Sequence, residues 1–132
     1  MKEDYIESQF VTYEIASAFK ELGFDECCLA VYFKDKFQLI KGFNINNVDL
    51  HVANKMDAIL APLWSQIIDW LDSEFGLLIV VVHDKKFGYQ WKIITNKNKV
   101  VYNCAVTYQR LCDAREIAIL KAIELTKQQN KI

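Results

Sequence analysis

The segment 61–83 constrains the fold most, because it joins a helical pattern directly to a strand pattern. Apolar side chains in 63–75 recur at helical spacing and fill one contiguous arc of a helical wheel. Pro62 suits the first helical position, where its missing N–H costs nothing, and Gly76 suits the position just after the helix. Every residue of 77–82 is apolar, which predicts a central strand covered on both faces. The pattern predicts a core and carries no chemistry of its own.

Three further elements are predicted in the first half of the chain. Residues 13–22 have helical apolar spacing, with Thr12 as the N-cap and Gly23 at the left-handed position after the helix. Residues 27–40 predict a β-hairpin, because two apolar runs flank a short charged turn. The segment 43–60 keeps a partial alternation of apolar residues and is predicted to hold an additional short strand.

The second half of the chain continues with strands and ends in a long helix. Residues 89–94 alternate between apolar and polar side chains, and 100–104 form a further strand, so 77–104 predicts an antiparallel meander. Thr107 is predicted to cap a last helix over 108–128, whose alanines permit close packing on a sheet.

This order of elements, α-β-β-(segment)-α-β-β-β-α, predicts an α+β fold. Its antiparallel sheet combines the β-hairpin with the three-stranded meander, and about three helices pack on it. At 132 residues and 52 % hydrophobic content, the chain can bury a core without metals or disulfides. We therefore predict a single domain over residues 1–132.

The charges argue against some classes of partner. The chain carries 16 basic and 17 acidic residues, so it lacks the basic excess that is typical of proteins that bind nucleic acids. Nucleic acid is therefore disfavoured as a partner but is not excluded. The acidic N-terminus has no apolar signal-peptide core, and no apolar run is long enough to cross a bilayer. The expectation is a cytoplasmic protein without a membrane partner.

The cysteines and histidines give no pattern that is typical of a catalytic or metal site. Cys27 and Cys28 are adjacent and would point to opposite faces of a strand, so free buried thiols are expected and no metal. His83 and Asp84 end the predicted central strand, where a base could lie, yet they also point in opposite directions. His51 lies two residues from Asp49 in the uncertain segment. We predict no catalytic residues and no cofactor, and keep His83 and Asp84 as candidate binding residues.

Four other residues are candidates for a binding surface. Trp70 falls at the edge of the apolar arc of its helix, and Arg115 projects from within the apolar arc of the last helix. Arg115 is either a snorkelling side chain or an anchor for an anion or a partner. Ile117 and Leu120 project from the polar side of the same helix. Exposed apolar side chains of this kind mark interfaces, so they predict a protein partner or a homo-oligomer. Trp64 and Trp91 are further anchors to test, although a core position is favoured for both.

The order of elements in 62–128 resembles the double-stranded-RNA-binding domain, and 114–122 is similar to its final helix. That family presents lysines at the start of this helix, whereas 108–113 has one arginine and one aspartate. The same topology is similar to small antitoxin-like domains of partial ribonuclease-H topology. Both resemblances imply a nucleic-acid-binding regulator, which is the alternative to a protein-binding function.

A broader resemblance connects most of the chain to small proteins encoded by phages and integrated mobile elements of gut bacteria. The segments that carry it are 12–16, 22–24, 61–66, 69–71, 89–91 and 114–123. The group has no assigned activity, so the resemblance implies a setting and no mechanism. We predict a small, non-enzymatic accessory protein that acts by binding.

Overall fold

The computed structural model describes residues 2–40, 45–46, 49–50, 57–95, 101–104 and 106–129. The chain divides into two compact units, Met1–Gln66 and Ile67–Ile132. The described elements are α1 (Lys2–Glu7), α2 (Tyr13–Glu21), β1 (Ala30–Phe33), β2 (Lys36–Leu39), β3 (Ala58–Leu60), α3 (Trp64–Phe75), β4 (Leu77–Asp84), β5 (Gly88–Thr95), β6 (Val101–Asn103) and α4 (Leu111–Gln129). The α+β class is confirmed, and α1 is an addition to the predicted helices. That residues 1–132 form a single domain stays a prediction.

The first unit holds a three-stranded antiparallel sheet in the order β2-β1-β3. Lys34 and Asp35 form the turn of the β1–β2 hairpin with φ of 52° and 65°, as a two-residue type I′ turn requires, and this turn is favoured because its backbone twist matches the right-handed twist of the strands. β3 pairs antiparallel with β1, so the additional strand expected in 43–60 is confirmed at Ala58–Leu60. Most of that segment, including His51, lies outside the described residues.

Helix α2 begins at the predicted residue and ends at Glu21, one residue before the predicted end. The Thr12 side chain accepts a hydrogen bond from the Ile15 backbone N–H at 3.4 Å, which caps the first turn. Gly23 has a φ of +95° just after the last turn, a conformation that glycine adopts without steric cost. Ile15 and Phe19 are fully buried and place the apolar face of the helix in the core of the first unit.

Helix α3 begins at Trp64, so the prediction of Pro62 at the first helical position is wrong. The Pro62 carbonyl accepts a hydrogen bond from the Val11 N–H at 2.9 Å, and the Trp64 N–H donates to the Gln9 carbonyl at 3.2 Å. These bonds hold the backbone before Trp64 in an extended form. The Gln66 side chain accepts from the Leu63 N–H at 3.3 Å, and this satisfies a backbone donor at the start of the helix.

The second unit holds an antiparallel sheet in the order β4-β5-β6, which confirms the meander. Helix α4 packs against β4 and β5. Buried side chains of the two strands alternate with more exposed ones, so one face of the sheet supplies the core: Leu77, Ile79, Trp91 and Ile93. Ala114, Ala118 and Ala122 are fully buried on α4, as their predicted packing requires.

Three predictions about the sheets and the last helix are wrong. Thr107 does not cap the last helix, because α4 begins at Leu111, and Tyr108 forms an antiparallel bridge with Tyr89. The strand β4 is not central, because among the described strands it pairs with β5 alone and so forms an edge of the sheet. The hairpin and the meander also belong to two separate three-stranded sheets and do not share one.

Candidate functional site

His83 and Asp84 lie at the end of β4 and serve the hairpin that follows it. The His83 ring lies against the ring of its cross-strand neighbour Tyr89, with centroids 4.5 Å apart. One Asp84 carboxylate oxygen accepts hydrogen bonds from the backbone N–H groups of Lys86 at 2.7 Å and Phe87 at 3.2 Å. This arrangement is an Asx-type turn, in which the carboxylate holds the backbone. Both residues therefore have a structural role that accounts for their positions.

Trp70 is 6 % exposed, so the prediction of an accessible tryptophan at a helix edge is wrong. Its ring contacts Phe75 edge-to-face, with centroids 5.5 Å apart. Trp64 and Trp91 are also buried, which confirms the core positions favoured for them. The Trp64 indole N–H donates to the Ser8 carbonyl at 2.9 Å. A tryptophan buried in this way supports the fold and offers a partner very little surface.

Arg115 is half-buried on α4. Burial lowers the pKa of its guanidinium, because charge is less well solvated inside the protein, and nearby Cys112 acts in the opposite direction. The guanidinium still carries its charge at neutral pH, since the ordinary pKa of arginine is far above 7. The side chain is thus half-buried and charged, and both interpretations of it, a snorkelling side chain and an anchor, stay predictions.

Ile117 and Leu120 are exposed on α4, at 38 % and 44 %, as predicted. They are three residues apart on one helix, and residues at this spacing are neighbours on the helix surface. Lys121, beside them in sequence, holds its ammonium 6.0 Å from the ring centroid of Tyr102. The pair therefore forms a small apolar patch on the second unit.

A second apolar surface, which sequence reasoning missed, lies on the sheet of the same unit. Leu78 and Val82 of β4 are 37 % and 40 % exposed, and Val80 and Ile94 are half-buried. These four side chains alternate with the buried ones, so they share the sheet face opposite α4. We call them the open face. Lys92 and Gln90 of β5 lie across from Val80 and Val82 on the same face, so polar side chains flank the apolar row of β4.

The four cysteines are free thiols, and their burial differs. Cys28 is buried, Cys104 and Cys112 are half-buried, and Cys27 is exposed, so the expectation that the thiols are buried is confirmed fully only for Cys28. Burial raises the pKa of the Cys28 thiol to about 12, with a smaller contribution from Cys27. A thiol with so high a pKa is a poor nucleophile at neutral pH. Within the described part of the chain, no three His, Cys, Asp or Glu residues are grouped so that they could hold a metal ion.

The buried Tyr32 hydroxyl gives the first unit a predictable response to alkaline pH. It donates to the Val11 carbonyl at 2.6 Å, and burial, followed by the charges of Glu7 and Glu14, raises its pKa from 10 to about 12. The unfolded chain releases this proton, and that of Cys28, at lower pH than the folded chain does. We therefore expect these two groups to contribute their full stabilisation below pH 9. The free energy of unfolding should then fall as the pH rises from about 9 to about 12.

Urea unfolding at a series of pH values measures this dependence. The variant Tyr32→Phe should show a shallower decline above pH 10 than the wild type, because phenylalanine has no proton to release. The control is Tyr5→Phe, since Tyr5 is well exposed. Equal slopes for the wild type and Tyr32→Phe would contradict the assignment.

Comparisons with known proteins give no family for the chain. No protein-family model, no curated protein and no solved structure matches it. Among the described residues, no helix has the length and apolar character needed to span a membrane.

Proposed function

We propose that the protein is a non-enzymatic binding protein, which acts in the cytoplasm through contacts with another protein or with itself. The observation that carries the proposal is the open face, where Leu78 and Val82 leave a large part of their side chains in water. Contiguous apolar side chains with a polar border are typical of protein interfaces. The resemblance to proteins of phages and mobile elements supplies a setting for an accessory role.

The apolar face of β4 is not required by the fold of the second unit. The opposite face of the strand already supplies core residues, with Leu77 and Ile79 buried on the side of α4. A strand with one buried face commonly carries polar residues on the other. At Leu78, Val80 and Val82 it carries branched apolar residues instead. Removing such side chains from water on contact with a partner would contribute roughly 25 cal/mol per Å² of apolar surface.

Affinity capture from an extract of the native host tests the proposal. Beads would carry the wild type, the double variant L78K/V82K, or the control L39K. Leu39 is 40 % exposed, as Val82 is, but it lies on β2 in the first unit. We expect the wild type and L39K to retain the same protein, either another protein or further copies of the chain, and L78K/V82K to lose it. Retention of identical proteins by all three would contradict a role for the open face.

A second candidate function, binding of nucleic acid, is favoured by two observations. The second unit has the element order α3-β4-β5-β6-α4 that the resemblance to the double-stranded-RNA-binding domain implies. The β4–β5 turn also presents Lys85 and Lys86 beside the exposed ring of Phe87, with the Lys86 ammonium 5.5 Å from the ring centroid. An exposed ring can stack on a base, and the neighbouring ammonium groups can neutralise phosphate.

A gel shift at low salt separates this candidate from the first. Nucleic-acid binding predicts retardation of RNA or DNA by the wild type, a weaker shift with Phe87→Ala, and a steep loss of binding with added salt. The near balance of acidic and basic residues favours the protein-binding function instead. We accordingly expect no retardation.

A further inference from the structure

The hydrogen bonds of β5 identify which residues of its neighbour β4 direct their main-chain groups to the outer edge of the sheet. Tyr89 exchanges two backbone hydrogen bonds with Tyr108, at 2.7 and 2.8 Å, and the Trp91 carbonyl accepts from the Cys104 N–H at 3.2 Å. Tyr89 and Trp91 therefore direct their main-chain groups away from β4. Because these directions alternate along an antiparallel strand, the residues between them bond to β4.

The register then assigns each residue of β4. Residues 78, 80 and 82 lie opposite the even-numbered residues of β5 and bond to them. Ile79, Val81 and His83 direct their N–H and C=O groups to the other side of the strand. No other strand of the described chain pairs with β4 there. The strand therefore presents a row of main-chain donors and acceptors at the edge of the sheet.

This edge lacks the features that usually protect a sheet from further pairing. The other outer strands of the two sheets are short, since β2 has four residues and begins with Lys36, and β3 and β6 have three each. β4 has eight residues. Its first six are apolar, it contains no proline, and only His83 and Asp84 at its end are ionisable. A long, apolar edge strand without charges is a template for pairing with another strand.

We propose that two copies of the chain associate by antiparallel pairing of β4 with β4 about a two-fold axis, forming one continuous six-stranded sheet. This inference rests on the proposed function and names the partner as a second copy. The contact lies at the edge of β4, where the open-face side chains of the two copies become cross-strand neighbours. A two-fold axis makes the contact isologous, so one strand supplies both sides. The β4 strand suits such a contact because it is apolar on both sides of its midpoint, so apolar residues of one copy would lie opposite apolar residues of the other. A segment of a different protein would need a complementary sequence of its own.

The hydrogen-bonding pattern and the side chains select one register. Residues that direct main-chain groups outward, which are the odd-numbered ones, must pair with one another. Only registers that place odd-numbered residues opposite odd-numbered residues are therefore permitted. Placing Val80 opposite Val80 of the second copy pairs Leu78 with Val82 and Ile79 with Val81. In this register the numbers of two paired residues sum to 160. Raising the sum by two would place the Asp84 carboxylate opposite Leu78, and lowering it by two would place Val82 opposite Gly76, outside the strand. The first register is therefore the one that pairs Leu78, Val80 and Val82 with apolar residues within the strand.

A cysteine at position 80 tests this register. Val80 bonds to β5, so it would form a non-hydrogen-bonded pair across the axis, with Cα atoms about 4.5 Å apart, within the range that a disulfide spans. The variant Val80→Cys should give a disulfide-linked dimer under mild oxidation, with the 80–80 peptide pair identified by mass spectrometry. Val82→Cys alone is the matched control, because its two copies would lie four residues apart along the strands and should not link. A mixture of Leu78→Cys and Val82→Cys should link as a heterodimer.

Sedimentation of charge variants gives a second readout that needs no cysteine. L78K/V82K places lysine opposite lysine in the proposed register, and like charges directly opposite are destabilising. An equimolar mixture of L78K/V82K with L78E/V82E should recover the dimer. Absence of the 80–80 link together with absence of this recovery would overturn the β4 pairing. If the open-face variants still lose a bound protein in that case, the proposed function stands and only the identity of the partner is wrong.

Discussion

Replacing Trp70 with alanine is expected to lower the free energy of unfolding by about 3–5 kcal/mol. The side chain is 6 % exposed and its ring contacts Phe75, so its removal leaves a cavity in the second unit. Sequence reasoning made Trp70 a binding anchor, whereas its burial predicts an effect on stability. Urea unfolding followed by circular dichroism measures the change.

The matched control for Trp70→Ala is Ile117→Ala on the exposed face of α4. Ile117 is well exposed, and alanine suits a helix, so we expect a change within about 0.5 kcal/mol. If Trp70→Ala unfolded at the same urea concentration as the wild type, its core position would be contradicted.

Replacing Gly88 with alanine is expected to lower the free energy of unfolding by about 2–4 kcal/mol. Gly88 has a φ of +100°, which strains a residue with a side chain, and an added Cβ would lie 2.5 Å from the Tyr108 carbonyl oxygen. That oxygen belongs to the backbone bridge between Tyr89 and Tyr108, so the side chain could be accommodated only by moving the bridge.

Gly23→Ala separates the two causes. Gly23 has a nearly equal φ of +95°, but an added Cβ would meet no atom within 4 Å. Its loss should come from backbone strain alone and be about 1 kcal/mol. Equal losses in the two variants, measured by urea unfolding, would show that the approach to Tyr108 is unimportant.

The features that the sequence predicts correctly depend on neighbouring residues. The Thr12 cap, the left-handed Gly23 and the β1–β2 turn each need only a few consecutive residues. The starts of α3 and α4 were predicted two and three residues too early because distant partners determine them. Val11 bonds to Pro62 and Tyr89 to Tyr108, and no local pattern records either contact.

The candidate surface was missed for a related physical reason. An apolar run such as 77–82 is typical of a strand covered on both faces, and its sequence is the same whether or not the second face is covered. The exposure of Leu78 and Val82 depends on which elements pack on each face of the sheet, and α4 packs on the other face. Ile117 and Leu120 were predicted correctly because an apolar residue on the polar side of a helix is visible from its spacing.

Analytical ultracentrifugation of the wild type, L78K/V82K and L39K tests most directly whether two copies of the chain associate through β4. We expect the mean mass of the wild type and of L39K to rise with concentration toward twice the chain mass of 15.4 kDa. L78K/V82K should stay at the mass of a single chain while keeping the unfolding transition of the wild type. Sedimentation of L78K/V82K that is identical to that of the wild type at every concentration would contradict self-association through β4.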